Sequence, residues 1–168
     1  SGLLPADESI AKITEKTILK FAPNNPTKFL PSDPVVFKLN AKNAKRILVR
    51  VFEIKTFECL QQHGGEVMGQ NLNLDGLTPN WEHNINLDHP PLELHEISIE
   101  LPELSNRRGA FVMDVISNGE NSSAYFTKGC LDFVEKQSVA GHILTVIDED
   151  QKMLSEKCTI WLNGYYYK

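Results

Sequence analysis

Apolar residues in this chain recur at every second position, in short runs separated by turn-forming residues, from residue 17 to residue 163. A period of two puts alternate side chains on opposite faces of an extended strand, so the pattern predicts half-buried β-strands. Val35-Val36-Phe37-Lys38-Leu39-Asn40 shows it most cleanly, with Val35, Phe37 and Leu39 inward and Lys38 and Asn40 outward. Residues 17–22 place Leu19 and Phe21 on one face, and residues 96–102 do the same with Ile97, Ile99 and Leu101. Such strands must bury their apolar faces against one another. The expectation is an all-β, antiparallel immunoglobulin-like β-sandwich.

Two stretches depart from simple alternation. In residues 46–57, Ile47, Val49 and Val51 share a face, and then Phe52 and Ile54 carry the apolar role on the opposite parity. That change predicts either a β-bulge or a strand buried on both faces at one end. In residues 109–117, Phe111, Met113 and Val115 oppose Ala110, Val112 and Ile116, which predicts a central strand covered on both sides. Asp114 is the one charge in that run and is expected to find a partner at a sheet edge or module interface. Asn118-Gly119 follows, and residues 122–128 resume the strand pattern. Asn-Gly between apolar runs is a strong hairpin signal because both residues tolerate positive φ. Glu120-Asn121 is expected to lengthen the loop slightly.

The remaining segments carry weaker signals. Pro5, Asp7 and Glu8 suit the start of a short helix over 6–15, in an N-terminal extension covering 1–15. Residues 23–34 hold four prolines and two asparagines and read as irregular. Residues 41–45 read as a turn. Residues 60–95 read as loops with one or two weak edge strands. After Gly129 the pattern restarts in residues 130–136, 142–148 and 157–163, with a turn at 149–152. The expected organisation is a sandwich over 16–128, with Tyr125 to Gly129 handing over to the first strands of a second, partial sandwich module over 129–168. The chain opens on Ser1-Gly2 without an initiator Met, and the expectation is a fragment of a longer protein.

Composition narrows the partners. Hydrophobic residues make up 41% and charged residues 23%, with a net charge of −5, ordinary values for a globular protein. Lysines and arginines are scattered, with no basic stripe carrying interleaved aromatics, so no nucleic-acid partner is expected. No apolar run approaches the roughly 18 residues of a membrane helix, and no membrane partner is expected. The three cysteines, Cys59, Cys130 and Cys158, fit no zinc spacing. They read as reduced, half-buried side chains, with a Cys130–Cys158 bridge as the alternative.

No catalytic, cofactor-binding or metal-binding set emerges. His63, His83, His89, His95 and His142 lack metal-ligand spacing and read as exposed loop residues. The acidic cluster over 147–150 reads as a solvated turn rather than a calcium loop. No phosphate loop, zincin helix or nucleophile elbow occurs. Asn121-Ser122-Ser123 matches a glycosylation sequon, which makes Asn121 a candidate acceptor if the protein is secreted. The aromatic C-terminus makes Trp161, Tyr165, Tyr166 and Tyr167 candidate partner-binding residues. Trp81 is a second candidate platform, should the domain be a carbohydrate- or protein-binding accessory module.

The order "FxxxxPVVFKLNAKNAKRILVRVFEIK", then "ISIELPEL…RGAFVMDVISNG…SSAYFTKG", resembles the N-terminal macroglobulin-like domains of the alpha-2-macroglobulin family. "CLDFVEKQSVAGHILTVIDEDQKMLSEKCTIWL" resembles the opening of a following domain. The likeness covers most of 17–164 and lies in strand order and spacing. It implies a seven-stranded antiparallel sandwich repeated along a large protein, a secreted or cell-surface location, and a part in protease binding or trapping by the parent. The family's Cys-x-x-Gln thioester motif is absent from this sequence and no bait region is recognisable, so no inhibitory residue carries over. The resemblance implies a non-catalytic structural and interaction module whose partners are other domains of its parent and proteases.

Overall fold

The computed structural model describes residues 16–56, 58, 74, 76–88, 90, 92–154, 158, 160–162 and 165–167. The helix expected over 6–15 lies outside them, as do Cys59, His63 and His89.

The strands are β1 (Ile18–Phe21), β2 (Lys28–Phe29), β3 (Val36–Lys42), β4 (Arg46–Ile54), β5 (Trp81–Asn86), β6 (His95–Glu100), β7 (Gly109–Ser117), β8 (Glu120–Lys128), β9 (Asp132–Ser138), β10 (Gly141–Ile147), β11 (Ile160–Leu162) and β12 (Tyr165–Tyr167). One sheet has the order β1-β3-β6 and the other β2-β8-β7-β4-β5. Their facing sides form one core. Leu19, Phe37, Leu39 and Ile99 of the first sheet meet Ile47, Val49, Val51, Phe111, Met113, Val115 and Phe126 of the second. The sandwich is an antiparallel immunoglobulin-like fold, with the first strand segment divided between the two sheets.

That division has a local cause. The segment over 23–34 is irregular as its prolines demand, except that Lys28 and Phe29 run parallel to Thr127 and Lys128 of β8. Before this crossing, the Asn25 side chain closes the edge of β3. Its Oδ1 accepts from the Lys38 amide at 2.8 Å and its Nδ2 donates to the Lys38 carbonyl at 2.8 Å. Polar groups left by β1 are thereby satisfied. The turn expected over 41–45 is shorter, because Ala41 and Lys42 pair with Leu19 and Ile18 and extend β3.

The parity change in β4 is not a bulge. Its pairing with β7 runs without interruption from Leu48↔Ile116 to Ile54↔Ala110. Phe52 and Ile54 instead pack on the outer face with Ala110 and Val112, against Leu74 and Tyr125. β7 is central, between β4 and β8, and is covered on both faces as its sequence predicts. The Asn118-Gly119 hairpin is tighter than expected. Ser117 pairs with Glu120, and only Asn118 (φ 49) and Gly119 (φ 81) form the turn. Two successive positive φ values describe a type I′ turn, whose twist matches the strands. Glu120 and Asn121 belong to β8 and do not lengthen the loop. The tip is also fastened, since Asn118 Nδ2 donates to the Asn43 carbonyl at 2.9 Å and to Thr17 Oγ1 at 3.2 Å.

Beyond Gly129, β9 and β10 form an antiparallel pair. The expected turn follows: Asp148 Oδ1 accepts from the Asp150 and Lys152 amides at 3.0 and 2.9 Å. The Leu154 amide then returns to the Val146 carbonyl at 3.0 Å. The strand expected over 157–163 is β11, and Tyr165–Tyr167, read from the sequence only as an aromatic tail, pairs with it as β12.

Candidate functional site

The residues with chemistry to offer are dispersed. His83 lies on β5, His95 on β6 and His142 on β10, so these three are strand rather than loop residues. Each meets a carboxylate: His83 Nε2 lies 2.7 Å from Glu103, His95 Nε2 lies 3.6 Å from Glu93, and His142 Nδ1 contacts Glu135. Among the described residues, no three His, Cys, Asp or Glu side chains are grouped to hold a metal. Cys130 carries a free, exposed thiol, so the alternative Cys130–Cys158 bridge does not form.

Asp114 finds its partners inside the sheet, not at an edge or module interface. It is 8% exposed. Its register places Arg50 of β4 on one side and Ser123 of β8 on the other. Ser123 Oγ donates to Asp114 Oδ1 at 2.9 Å. Burial pushes the Asp114 carboxyl above its ordinary value, while the Ser123 hydroxyl and the Arg50 charge draw it partly back. Ser123 is the third residue of the sequon, so its hydroxyl is already engaged. Asn121 itself lies on β8 beside the turn and is exposed.

Lys128 escaped the sequence reading altogether. At the end of β8 it looks like an ordinary exposed lysine, yet it is 1% exposed. Its Nζ donates to the Asp33 carbonyl and to the Leu104 carbonyl, both at 2.8 Å. It thereby ties the loop after β2 to the short 3-10 helix Pro102–Leu104. Burial lowers its pKa, and the Asp33 carboxylate raises it partly back.

Two surfaces have the form of interaction sites. The first is an apolar groove of about 1070 Å³ between β1 and β8, with Phe21, Phe29, Phe37 and Ala124 in its walls. These rings begin an aromatic chain through the core. Phe21 meets Phe37 at 5.8 Å, Phe37 meets Phe126 at 5.0 Å, Phe126 stacks on Phe111 at 5.6 Å, and Phe111 reaches Trp81 at 6.4 Å. β2 pairs only with the last two residues of β8. Among the described residues, no strand lies beside β8 over 120–126 on the groove side. Trp81, the other end of the chain, is not an open platform. It packs on the core, and the Arg107 guanidinium lies 5.0 Å from its ring centroid.

The second surface is the β9–β10 pair. Leu131, Phe133, Val134 and Ile143 are all more than half exposed. Phe133 lies opposite Val146 on one face, and Val134 and Ile143 lie on the other, so both faces carry uncovered apolar side chains. A two-stranded ribbon is marginal alone and needs further apolar cover. Of the aromatic C-terminal residues, Tyr165 is exposed, whereas Trp161, Tyr166 and Tyr167 are placed on β11 and β12 by their backbone pairing.

One polar cluster joins the two regions. Glu149 Oε1 accepts from Arg108 Nη1 at 2.6 Å and from the Cys130 amide at 2.6 Å. Burial pushes the Glu149 carboxyl up. The Cys130 amide, its own amide and Arg108 outweigh that and hold it below the usual range. Sequence reading found only a solvated acidic turn here, because nothing local marks a carboxylate whose partners lie 41 and 19 residues away.

Comparison with known proteins agrees with this architecture. A family model described as the AbpF first immunoglobulin-like domain matches residues 47–129. Over 159 residues, 94% of the chain, the sequence is 31% identical to Actin-binding protein F of Dictyostelium discoideum. The chain spans only 7% of that relative's length. Among solved structures, the MG0-NIE-MG1 domains of Escherichia coli alpha-2-macroglobulin align with a TM-score of 0.52 at 10% identity, covering 80% of this chain and 46% of that one. At that identity the likeness is one of fold. The macroglobulin-like architecture implied by the sequence is present, and the chain is an all-β, immunoglobulin-like sandwich protein.

Proposed function

We propose that this chain is a non-catalytic structural and interaction module of a longer protein, and that the longer protein's partner is actin rather than a protease. The observation that carries the module reading is the β9–β10 pair, apolar and uncovered on both faces. Such a ribbon is the beginning of a second sandwich, with residues 16–128 as the first. Other domains of the parent chain are then its immediate partners. The choice of actin is supported by the named relative, which is similar along nearly the whole chain. Protease trapping has the support of fold likeness alone, since the macroglobulin comparison is only 10% identical. Within this reading Tyr165 and the neighbouring aromatic residues Trp161, Tyr166 and Tyr167 belong to the inter-domain or partner contact. Asn121 is a glycan acceptor only in a secreted parent.

Co-sedimentation of the longer protein with filamentous actin tests the proposal. Pelleting with filaments is the expected result. A protein that stays in the supernatant, yet shields a protease from large substrates, would overturn it. A carbohydrate-binding module has less support, because Trp81 is covered by Arg107.

A further inference from the structure

We propose that Arg108, Gly129 and Glu149 form a joint that fixes the direction in which residues 130 onward leave the sandwich. The inference goes beyond the interaction reading, because it holds whatever the partner is.

The sandwich side of the joint is rigidly held. β7 and β8 end on the pair Gly109↔Lys128. Lys128 is anchored by its two carbonyl partners, and the Gly129 amide donates to the Phe29 carbonyl at 2.8 Å. Continuing the register sets Arg108 opposite Gly129. Gly129 has φ 78, a conformation that side chains disfavour. A Cβ there would lie 2.9 Å from Glu149 Oε1 and 3.0 Å from Arg108 Cγ. The missing side chain is therefore the space through which the Glu149 carboxylate reaches the arginine.

The far side is equally well defined. β9 and β10 end on Ile147↔Asp132. The same register carried outward sets Glu149 opposite Cys130, where its carboxylate accepts the amide proton. One oxygen thus holds an arginine of the sandwich and an amide of the ribbon together. Glu149 is well sheltered, with its side chain 12% exposed, so the contact is screened less than an open surface pair. Among the described residues, the Arg108–Glu149 ion pair is the one that links 16–128 to 130–154. A short charge-assisted bond at such a joint sets orientation, not fold.

Residual dipolar couplings from the backbone amides of the full chain test the joint. In the wild-type protein, amides of β3–β8 and of β9–β10 should fit one alignment tensor. Arg108→Met removes the link from the sandwich side and leaves the Glu149–Cys130 bond in place. The expected result is loss of the common tensor, while each region still fits its own. Gly129→Ala should produce the same separation by driving Glu149 from its place. Retention of a common tensor in Arg108→Met overturns the proposal. So does loss of β9–β10 pairing in that variant, which would make the link a support of the ribbon's fold rather than of its direction.

Discussion

Replacing Lys128 with Met tests whether a buried ammonium closes the sandwich. Lys128 is 1% exposed and holds two carbonyls, Asp33 and Leu104, at 2.8 Å each. Hydrogen bonds to a charged group contribute about 1.5–3 kcal/mol each. Taking the ammonium out of water costs several kcal/mol and cancels much of that gain. The net effect is set by what the substitution leaves behind. The Asp33 carbonyl is only partly buried and regains water. The Leu104 carbonyl is in a buried contact and loses its partner, at a cost of about 1–3 kcal/mol. Met keeps the apolar volume of the stem. Lys128→Met should therefore destabilise by about 1–3 kcal/mol in urea unfolding at neutral pH, with an unchanged denaturant slope. Burial lowers the amine below its ordinary 10.5, so between the folded value and 10.5 the unfolded chain holds more protons than the folded one. Wild-type stability should then rise with pH through the folded value towards 10.5, relative to Lys128→Met, which lacks the group. A Met variant as stable as wild type, with no pH-dependent difference, would refute the reasoning and make the lysine a tolerated burden.

Gly119→Val should cost about 1–2 kcal/mol, because φ is 81 and a Cβ there meets nothing within 4 Å, leaving backbone strain as the cause. Thermal unfolding measures it, and an unchanged midpoint would count against the type I′ turn. Asp114→Asn probes the polar centre of β7. The carboxyl is raised in the folded state, so its contribution is fully present below pH 3.8 and is lost as pH rises through the folded value. The Asn variant should therefore gain on wild type in chemical denaturation as pH rises above 3.8 through the folded value; a pH-independent difference would show that Asp114 titrates normally.

Much of the sandwich was legible because its information is local. Val35, Phe37 and Leu39 announce their face by spacing, and Asn118-Gly119 announces its turn by conformational preference. Even the parity change in β4 was informative, since it narrowed the cause to a bulge or two-sided burial. Choosing between them required the register with β7, a contact across some 60 residues. The pairing of Lys28 and Phe29 was hidden for a related reason. Prolines forbid regular structure in their neighbourhood, but two residues suffice for a parallel bridge when β8 already supplies the edge.

The candidate site was less legible because charge has no period. A lysine at a strand end, an aspartate in a core strand and a glutamate in a turn each look like solvent-facing residues or exceptions. Their roles are fixed by what a distant segment places beside them: the Asp33 and Leu104 carbonyls for Lys128, Arg50 and Ser123 for Asp114, Arg108 and the Cys130 amide for Glu149. The apolar pattern builds the two sheets and would tolerate many side chains at these three positions. The polar contacts then fix features that hydrophobic burial leaves open, because burial is non-directional while a hydrogen bond has geometry. Lys128 ties the loops at one end, Asp114 crosses the centre of the larger sheet, and Glu149 meets the chain as it leaves. In the module proposed above, those directional contacts would set where its neighbours are held.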